Sequence, residues 1–148
     1  MNIRRLVLLF SLLITHFSFA FSQTALEMDT MLTSKAVNAA QAARFVLGTA
    51  DLLPPGVAGA DAEKAAYDLA LSKGWINSDS TESITMKDTA FLIMQAFDLK
   101  GGVMYSLFSN PRYAYREMVY QRIITGKTDQ NMKVSGTKLL LIFDRVGN

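Results

Sequence analysis

The sequence repeats itself at a spacing of 48 residues, and this repeat constrains the fold more than any other feature. The matched pairs are Ala66-Tyr67 with Ala114-Tyr115, Trp75-Ile76 with Ile123-Ile124, Thr89 with Thr137, and Phe91–Ile93 with Leu139–Leu141. A repeat this short cannot bury both of its faces alone, so neighbouring repeats must pack on each other. The sequence therefore predicts two similar units, residues 52–100 and 101–148, preceded by a helix at 21–51 that is a partial repeat or a cap.

Hydrophobic periodicity predicts an all-α fold, a small bundle of about five helices with short loops and no convincing strand. The predicted helices cover residues 33–47, 61–72, 87–99, 110–122 and 135–146. Three of them start at capping signals: Thr85 with Asp88 is a capping-box pattern, Asn110 precedes a proline, and Ser135 can cap the last helix. Each unit is thus predicted as a helix, a polar loop and a second helix.

The first 20 residues have the order of an export signal. Arg4 and Arg5 precede the apolar run Leu6–Thr15, and Ser18-Phe19-Ala20 is a small-x-small cleavage site. Cleavage after Ala20 fits best, and cleavage after Ser22 stays open. The competing interpretation is an uncleaved anchor, but the run falls short of the roughly 20 apolar residues that a spanning helix needs. We therefore expect an extracytoplasmic protein, periplasmic or in the cell envelope, that meets membrane only through this signal.

Composition narrows the chemistry of the processed chain. The sequence has no cysteine, and its only histidine, His16, lies in the signal. Zinc sites built on these residues, Ser-His-Asp or Cys-His catalysis and iron–sulfur clusters are therefore excluded from the processed chain. Its scattered carboxylates show no pair positioned for hydrolysis of a glycan. We expect no enzymatic activity, no cofactor and no metal site.

Charge is distributed unevenly along the chain. Without Arg4 and Arg5 the chain has 13 basic and 13 acidic residues, but residues 111–148 hold 7 basic and only 3 acidic ones. This cationic quarter could meet an anionic polymer or an acidic partner, or it could pair with the acidic first part of the same molecule. Nucleic acid is not an expected partner of an exported chain.

Several short motifs resemble those of S-layer homology repeats. They are Phe108-Ser109-Asn110, Tyr113-Ala114-Tyr115 and Ile123–Gly126 in the second unit, and Lys73–Ile76 and Ile84–Asp88 in the first. The resemblance covers about residues 52–148, and residues from Leu32 onward resemble the last helix of a preceding unit. It implies helix–loop–helix units whose second helix opens with an Ile-Thr-Arg-Ala-Glu motif. In that family three units commonly form a prism that binds anionic, often pyruvylated, cell-wall polysaccharide or peptidoglycan.

The motif arginine, with which the family holds the wall polymer, is absent from both units. On the 48-residue spacing it corresponds to Met86 and Val134, and neither side chain can present the two-point fork that arginine offers to a carboxylate. The motif glutamate corresponds to Asp88 and Gly136. Lys87 and Lys133 stand next to the lost arginine positions and could supply a weaker point charge, so they are candidate binding residues.

A second candidate surface combines aromatic and basic residues. We expect Arg112, Arg116 and Tyr120 to lie at the surface and to bind, and we expect Phe108 and Tyr115 to lie in the core. Arginine beside tyrosine is common at protein interfaces, and aromatic faces also stack on sugar rings.

Two functions fit these features. In the favoured one, the chain is an exported, non-catalytic interaction or scaffold module that docks another envelope component, such as a protein. In the alternative, the module binds cell-wall glycan, either peptidoglycan or a secondary polymer, and anchors to it. Binding through exposed lysines and arginines is salt-sensitive, whereas protein docking resists salt, so salt separates the two. Self-association into a homo-oligomer stays open as a way to complete three units.

Overall fold

The computed structural model describes residue 26 and residues 28–147. The chain divides after Thr33 into two compact parts, which are not the two predicted repeat units. In the first, residues 28–33 are helical, and the Thr30 hydroxyl donates to the Leu26 carbonyl at 2.9 Å. The predicted export signal and both of its cleavage sites lie outside the described residues. No helix within those residues is long and apolar enough to cross a membrane.

The part of the chain that begins at Ser34 is all-α, and the predicted fold class is confirmed. Its described helices are α1 (Ala39–Thr49), α2 (Gly59–Ser72), α3 (Met86–Ala96), α4 (Val103–Leu107), α5 (Pro111–Tyr120) and α6 (Gly136–Val146). Over residues 28–147 the only β-structure is two isolated bridges. The short helix α4 is the element that the sequence analysis did not predict.

Three helices start where their caps predict. The accepting side chains and the donating N–H groups are Thr85 and Asp88 (3.4 Å), Asn110 and Tyr113 (3.2 Å), and Ser135 and Lys138 (3.3 Å). Each cap satisfies a backbone donor that the first helical turn leaves without a partner. The predicted capping box at Thr85 is only half formed, because the Asp88 carboxylate accepts from the Thr85 hydroxyl and not from its backbone N–H.

The predicted start of the first helix, at residue 33, is wrong. Residues 34–38 are not helical, and α1 begins only after Asn38, which has an extended backbone (φ −82°, ψ 167°). Asn38 and Gln41 form a reciprocal capping box, with N···O distances of 2.8 and 3.2 Å. The preceding residue, Val37, is fully buried, and its backbone N–H and carbonyl form hydrogen bonds with residues outside any helix.

Val37, Ile84 and Val134 form a closed ring of backbone hydrogen bonds. The Val37 N–H donates to the Val134 carbonyl (2.8 Å), the Ile84 N–H to the Val37 carbonyl (2.9 Å), and the Val134 N–H to the Ile84 carbonyl (3.2 Å). All three side chains are fully buried. Each residue directly precedes the cap of a helix, so α1, α3 and α6 all start from this ring.

The remaining longer helices pack on the outside of this arrangement. α2 packs against α1, α5 packs against α3, and α1 also contacts α3. The buried faces of α2 and α5 consist of small or flexible residues, which allow close approach of the helices. These residues are Ala62, Ala66, Ala70, Ala114 and Met118.

The two repeat units, residues 52–100 and 101–148, correspond at a spacing of 48 residues in their first helix but at a spacing of 50 residues in their second helix. Gly74 and Arg122, 48 residues apart, both have positive φ at the end of their helices (69° and 61°). Ile84 and Val134, 50 residues apart, occupy equivalent places in the ring. The loop after α5 is therefore two residues longer than the loop after α2.

This change of register corrects the ungapped alignment. The pairing of Thr89 with Thr137 is wrong, since Thr89 corresponds to Leu139, and both of these are fully buried. At this spacing Met86 corresponds to Gly136 and not to Val134, which instead belongs to the ring. Asp88 likewise corresponds to Lys138 and not to Gly136, because the caps Thr85 and Ser135 are also 50 residues apart.

Truncating one of the three side chains of the hydrogen-bonded ring should destabilise the whole part of the chain that begins at Ser34. We expect Ile84→Ala to lower the free energy of unfolding by about 2–5 kcal/mol, because it removes fully buried methyl groups from a tight core. Urea denaturation followed by circular dichroism measures this change. Leu71→Ala, at a side chain that is 45% exposed on α2, is the control and should cost less than about 1 kcal/mol. Equal costs for the two variants would contradict a core centred on the ring.

Protonation of Asp79, in the loop after α2, should make the stability of the fold depend on pH in the acid range. The Asp79 Oδ1 accepts from the Thr81 N–H and the Thr81 hydroxyl, both at 3.1 Å, and these bonds lower the pKa of Asp79 from its ordinary value of 3.8. Because the pKa is lower in the folded chain, Asp79 stabilises the fold above the unfolded pKa, and this contribution is lost as pH falls through the folded pKa. We expect Asp79→Ala to lower stability at pH 7 and the difference from the original chain to shrink in acid. An NMR titration giving Asp79 an ordinary or raised pKa would contradict this.

Candidate functional site

The structure places Lys87 and Lys133 together where the repeat unit of residues 52–100 meets the repeat unit of residues 101–148. Residues Thr85 and Lys133 form an antiparallel bridge, and the Lys87 N–H donates to the Gln130 carbonyl at 2.9 Å. Both amino groups have partners within the chain. Lys87 Nζ donates to Asn131 Oδ1 at 2.9 Å, and Lys133 Nζ donates to a backbone carbonyl. Because backbone and side chains cross this junction, the two predicted site residues hold the two units together.

Lys133 is engaged more fully than Lys87. Its Nζ donates to the Ser83 carbonyl at 2.7 Å and lies 3.8 Å from Glu82 Oε1. Both charged side chains of this pair are about half exposed, so the ion pair itself adds little stability. A ligand that took up Lys133 would have to replace these contacts, which weakens the case for a binding site here.

Arg112, Arg116 and Tyr120 lie on one exposed face of α5. They are spaced by four residues, which places them in one row along a helix. Tyr120 is 84% exposed, and both arginines are exposed. Over residues 28–147 neither guanidinium has a hydrogen bond or an ion pair. The prediction that these three residues lie at the surface is confirmed, and no hydrogen bond joins them to the junction lysines.

An exposed apolar row lies on α4, which sequence reasoning missed. Val103, Met104, Leu107 and Phe108 are each 55–75% exposed. Their spacing of one, four and five residues puts them on one side of this helix and its end. The prediction that Phe108 lies in the core is therefore wrong. Tyr115 is half-buried, and its hydroxyl donates to the Thr128 carbonyl at 3.0 Å.

Helix α4 lies alongside α5 and runs antiparallel to it. At its start, Gln121 Nε2 donates to the Lys100 carbonyl (3.1 Å), and Gly102 faces the Glu117 carboxylate. At its end, the Phe108 ring stacks on Tyr113 with centroids 5.9 Å apart. Tyr113 and Glu117 mark the face of α5 that α4 covers.

The basic row of α5 is the row next to this covered face. A rise of one residue along a helix turns the direction of the side chain by about 100°, so Arg116 and Tyr120 lie beside Tyr113 and Glu117. We define the α4–α5 surface as the apolar row of α4 together with the exposed row of α5. Its residues are Val103, Met104, Leu107, Phe108, Arg112, Arg116 and Tyr120.

Tyr105 anchors α4 to the body of the fold. Its side chain is buried, and its hydroxyl accepts from Gln95 Nε2 at 2.8 Å. Gly101 lies directly against the ring, since a Cβ at Gly101 would come within 2.5 Å of Tyr105 Cδ1. Turning this one aromatic side chain inward leaves the other large side chains of α4 outside.

The sequence contains a weak signal for α4. The apolar residues 103, 104, 107 and 108 follow helical spacing, but the run is short and stands between a Gly-Gly pair and the cap of α5. A short apolar run beside aromatic motifs resembles core, so exposure could not be inferred without the packing of Tyr105.

Other candidate sites are less developed. A shallow cleft of about 190 Å³ lies behind α4, and its lining includes Gln95, Lys100, Tyr105 and Ser109. Across the described residues, no three His, Cys, Asp or Glu side chains come together as metal ligands.

Comparisons of this chain with protein-family models, with curated proteins and with solved structures found no match.

The contact between Gly101 and Tyr105 predicts an asymmetry between two adjacent glycines. We expect Gly101→Ala to destabilise the chain by about 1–3 kcal/mol, because the new methyl group meets the Tyr105 ring and must displace α4. Gly102→Ala is the matched control, since its methyl group would meet only the end of the Glu117 side chain, at 3.2 Å. Urea denaturation and the near-ultraviolet circular dichroism of the tyrosines measure both effects. A larger cost for Gly102→Ala would show that Tyr105 does not anchor α4.

Proposed function

We propose that this chain is an exported, non-catalytic interaction module, similar in architecture to S-layer homology units, that docks another component of the cell envelope. The docking site is the α4–α5 surface. The observation that carries the proposal is the row of four large apolar side chains on α4, each more than half exposed. Isolated apolar residues at a surface are ordinary, but a contiguous group of them marks an interaction site.

The composition of the α4–α5 surface supports docking. Phenylalanine, tyrosine, methionine and arginine are the residue types enriched at interfaces, and the surface combines all four. The α4–α5 surface is also built on a fixed support, since Tyr105 holds α4 to α3 through Gln95, and the stacking of Phe108 on Tyr113 holds it to α5. Burying the α4 row in a complex would remove its apolar area from water without a large rearrangement.

The ring of Val37, Ile84 and Val134 supports the likeness to S-layer homology units. Three capped helices start from it, two of them preceded by a helix and a polar loop. α1 takes the place of the second helix of a third unit, although it is opened by Val37 and Asn38 and not, as the resemblance implied, from Leu32. We propose this architecture as the scaffold that presents the α4–α5 surface.

Glycan anchoring remains a second candidate, favoured by the meeting of Lys87 and Lys133 where the two units join. Against it, both amino groups are bound within the chain, and the register change leaves Met86 and Gly136 at the positions of the motif arginines. A polymer carboxylate would therefore meet no arginine fork in either unit.

Retention on cell envelopes tests the proposal. We expect the processed chain to co-sediment with envelopes from the producing cells, and Leu107→Ser/Phe108→Ser to reduce that retention at least about tenfold, because two apolar contacts are lost. Leu71→Ser, at another exposed leucine, is the matched control and should be retained like the original chain.

Purified sacculi separate the two candidates. Docking through α4 predicts little retention on sacculi freed of membrane and protein, and no effect of Lys87→Gln/Lys133→Gln on envelope retention. Salt-sensitive retention on sacculi that is lost in the lysine variant and kept in Leu107→Ser/Phe108→Ser would overturn the proposal in favour of glycan anchoring.

A further inference from the structure

We infer that the component docked by the α4–α5 surface is an anionic lipid bilayer, into whose interface α4 inserts its apolar row. This inference rests on the proposed function and specifies its partner. It differs from the expectation that the chain meets membrane only through its export signal, because α4 presents a further exposed apolar surface.

The apolar part of the surface has the form that interfacial insertion needs. Val103, Met104 and Leu107 project from a single short helix, and Phe108 extends the same side at its end. Each is more than half exposed and none of them lines the cleft behind α4, so a partner that simply surrounds them can bury them. A bilayer does this at the boundary between head groups and acyl chains, and each buried methylene group contributes about 0.8 kcal/mol.

The charged part of the surface favours an anionic partner. Arg112 and Arg116 are exposed on α5 and have no acidic partner across residues 28–147. Glu117, the one carboxylate of α5, faces Gly102 and accepts from Gln121 Nε2 at 2.8 Å, so it forms no ion pair with either arginine. A basic residue near an anionic membrane surface contributes about 1 kcal/mol of attraction.

The two parts can reach one flat surface together. α4 covers the face of α5 marked by Tyr113 and Glu117, and the row of Arg112, Arg116 and Tyr120 lies beside that face. Arginine and tyrosine have long apolar stems with polar ends, which suits them to the head-group region while α4 lies deeper. A protein partner would instead need a concave apolar site with carboxylates along one edge.

Vesicle flotation tests the inference with the chain as cells export it. The probes are vesicles of phosphatidylcholine alone and vesicles in which about a third of the lipid is phosphatidylglycerol. We expect binding to the anionic vesicles at low salt and much weaker binding to the neutral ones. Leu107→Ser/Phe108→Ser should bind at least about tenfold more weakly, and Arg112→Gln/Arg116→Gln about thirtyfold more weakly.

Matched controls separate this surface from other causes of lipid binding. Leu71→Ser and Lys64→Gln change an exposed leucine and an exposed lysine of α2 and should bind like the original chain. Any apolar residue left from the export signal is common to all variants, so differences between variants report the α4–α5 surface. Unfolding curves check that each variant is folded.

Two results would overturn the inference. They are no binding to anionic vesicles, and binding that Leu107→Ser/Phe108→Ser leaves unchanged. If that variant still loses retention on whole envelopes, the proposed function stands and the partner is an envelope protein. If it loses neither, the proposed function fails as well.

Discussion

One ring of three backbone hydrogen bonds, between Val37, Ile84 and Val134, determines where the helices of this chain begin and how they meet. Its members are far apart in the sequence and fully buried, so each N–H and carbonyl has only the other two as partners. A buried carbonyl or N–H left without its partner costs about 1–3 kcal/mol. Each ring residue is followed at once by a helix cap, which directs α1, α3 and α6 away from a common point.

The outer layer around this ring is less regular than the ring itself. α2 lies on α1 and α5 lies on α3, whereas no described helix from Ser34 onward lies on α6 to the same extent. The consequence is visible at equivalent positions: Phe91 on α3 is 8% exposed, and Leu141 on α6 is 48% exposed. The inner arrangement therefore has three similar parts, and the covering helices distinguish them.

Local signals predicted the parts of this fold that local chemistry decides. The caps at Thr85, Asn110 and Ser135 act over three residues, so their helix starts could be read from the sequence. The register of the second unit could not, because it depends on Ile84 and Val134 meeting across the ring. Of the candidate site residues, those on α5 were predicted as exposed from their residue types, which is also local information. The pairing of Lys133 with Ser83, 50 residues away, needed the tertiary structure.

The difference between the two units explains why one of them carries the candidate docking site. Where the second unit has α4, residues 52–58 of the first are not helical, and Gly56 among them has a positive φ of 83°, a left-handed conformation that a right-handed helix cannot contain. After Gly101-Gly102 the second unit has no such restriction, so a helical turn forms and Tyr105 fastens it. The ring and the packed helices are common to both units, whereas the exposed apolar row of α4 belongs to the second unit alone. A contiguous exposed apolar group of this kind is what the proposed docking needs, so the proposal falls on the second unit.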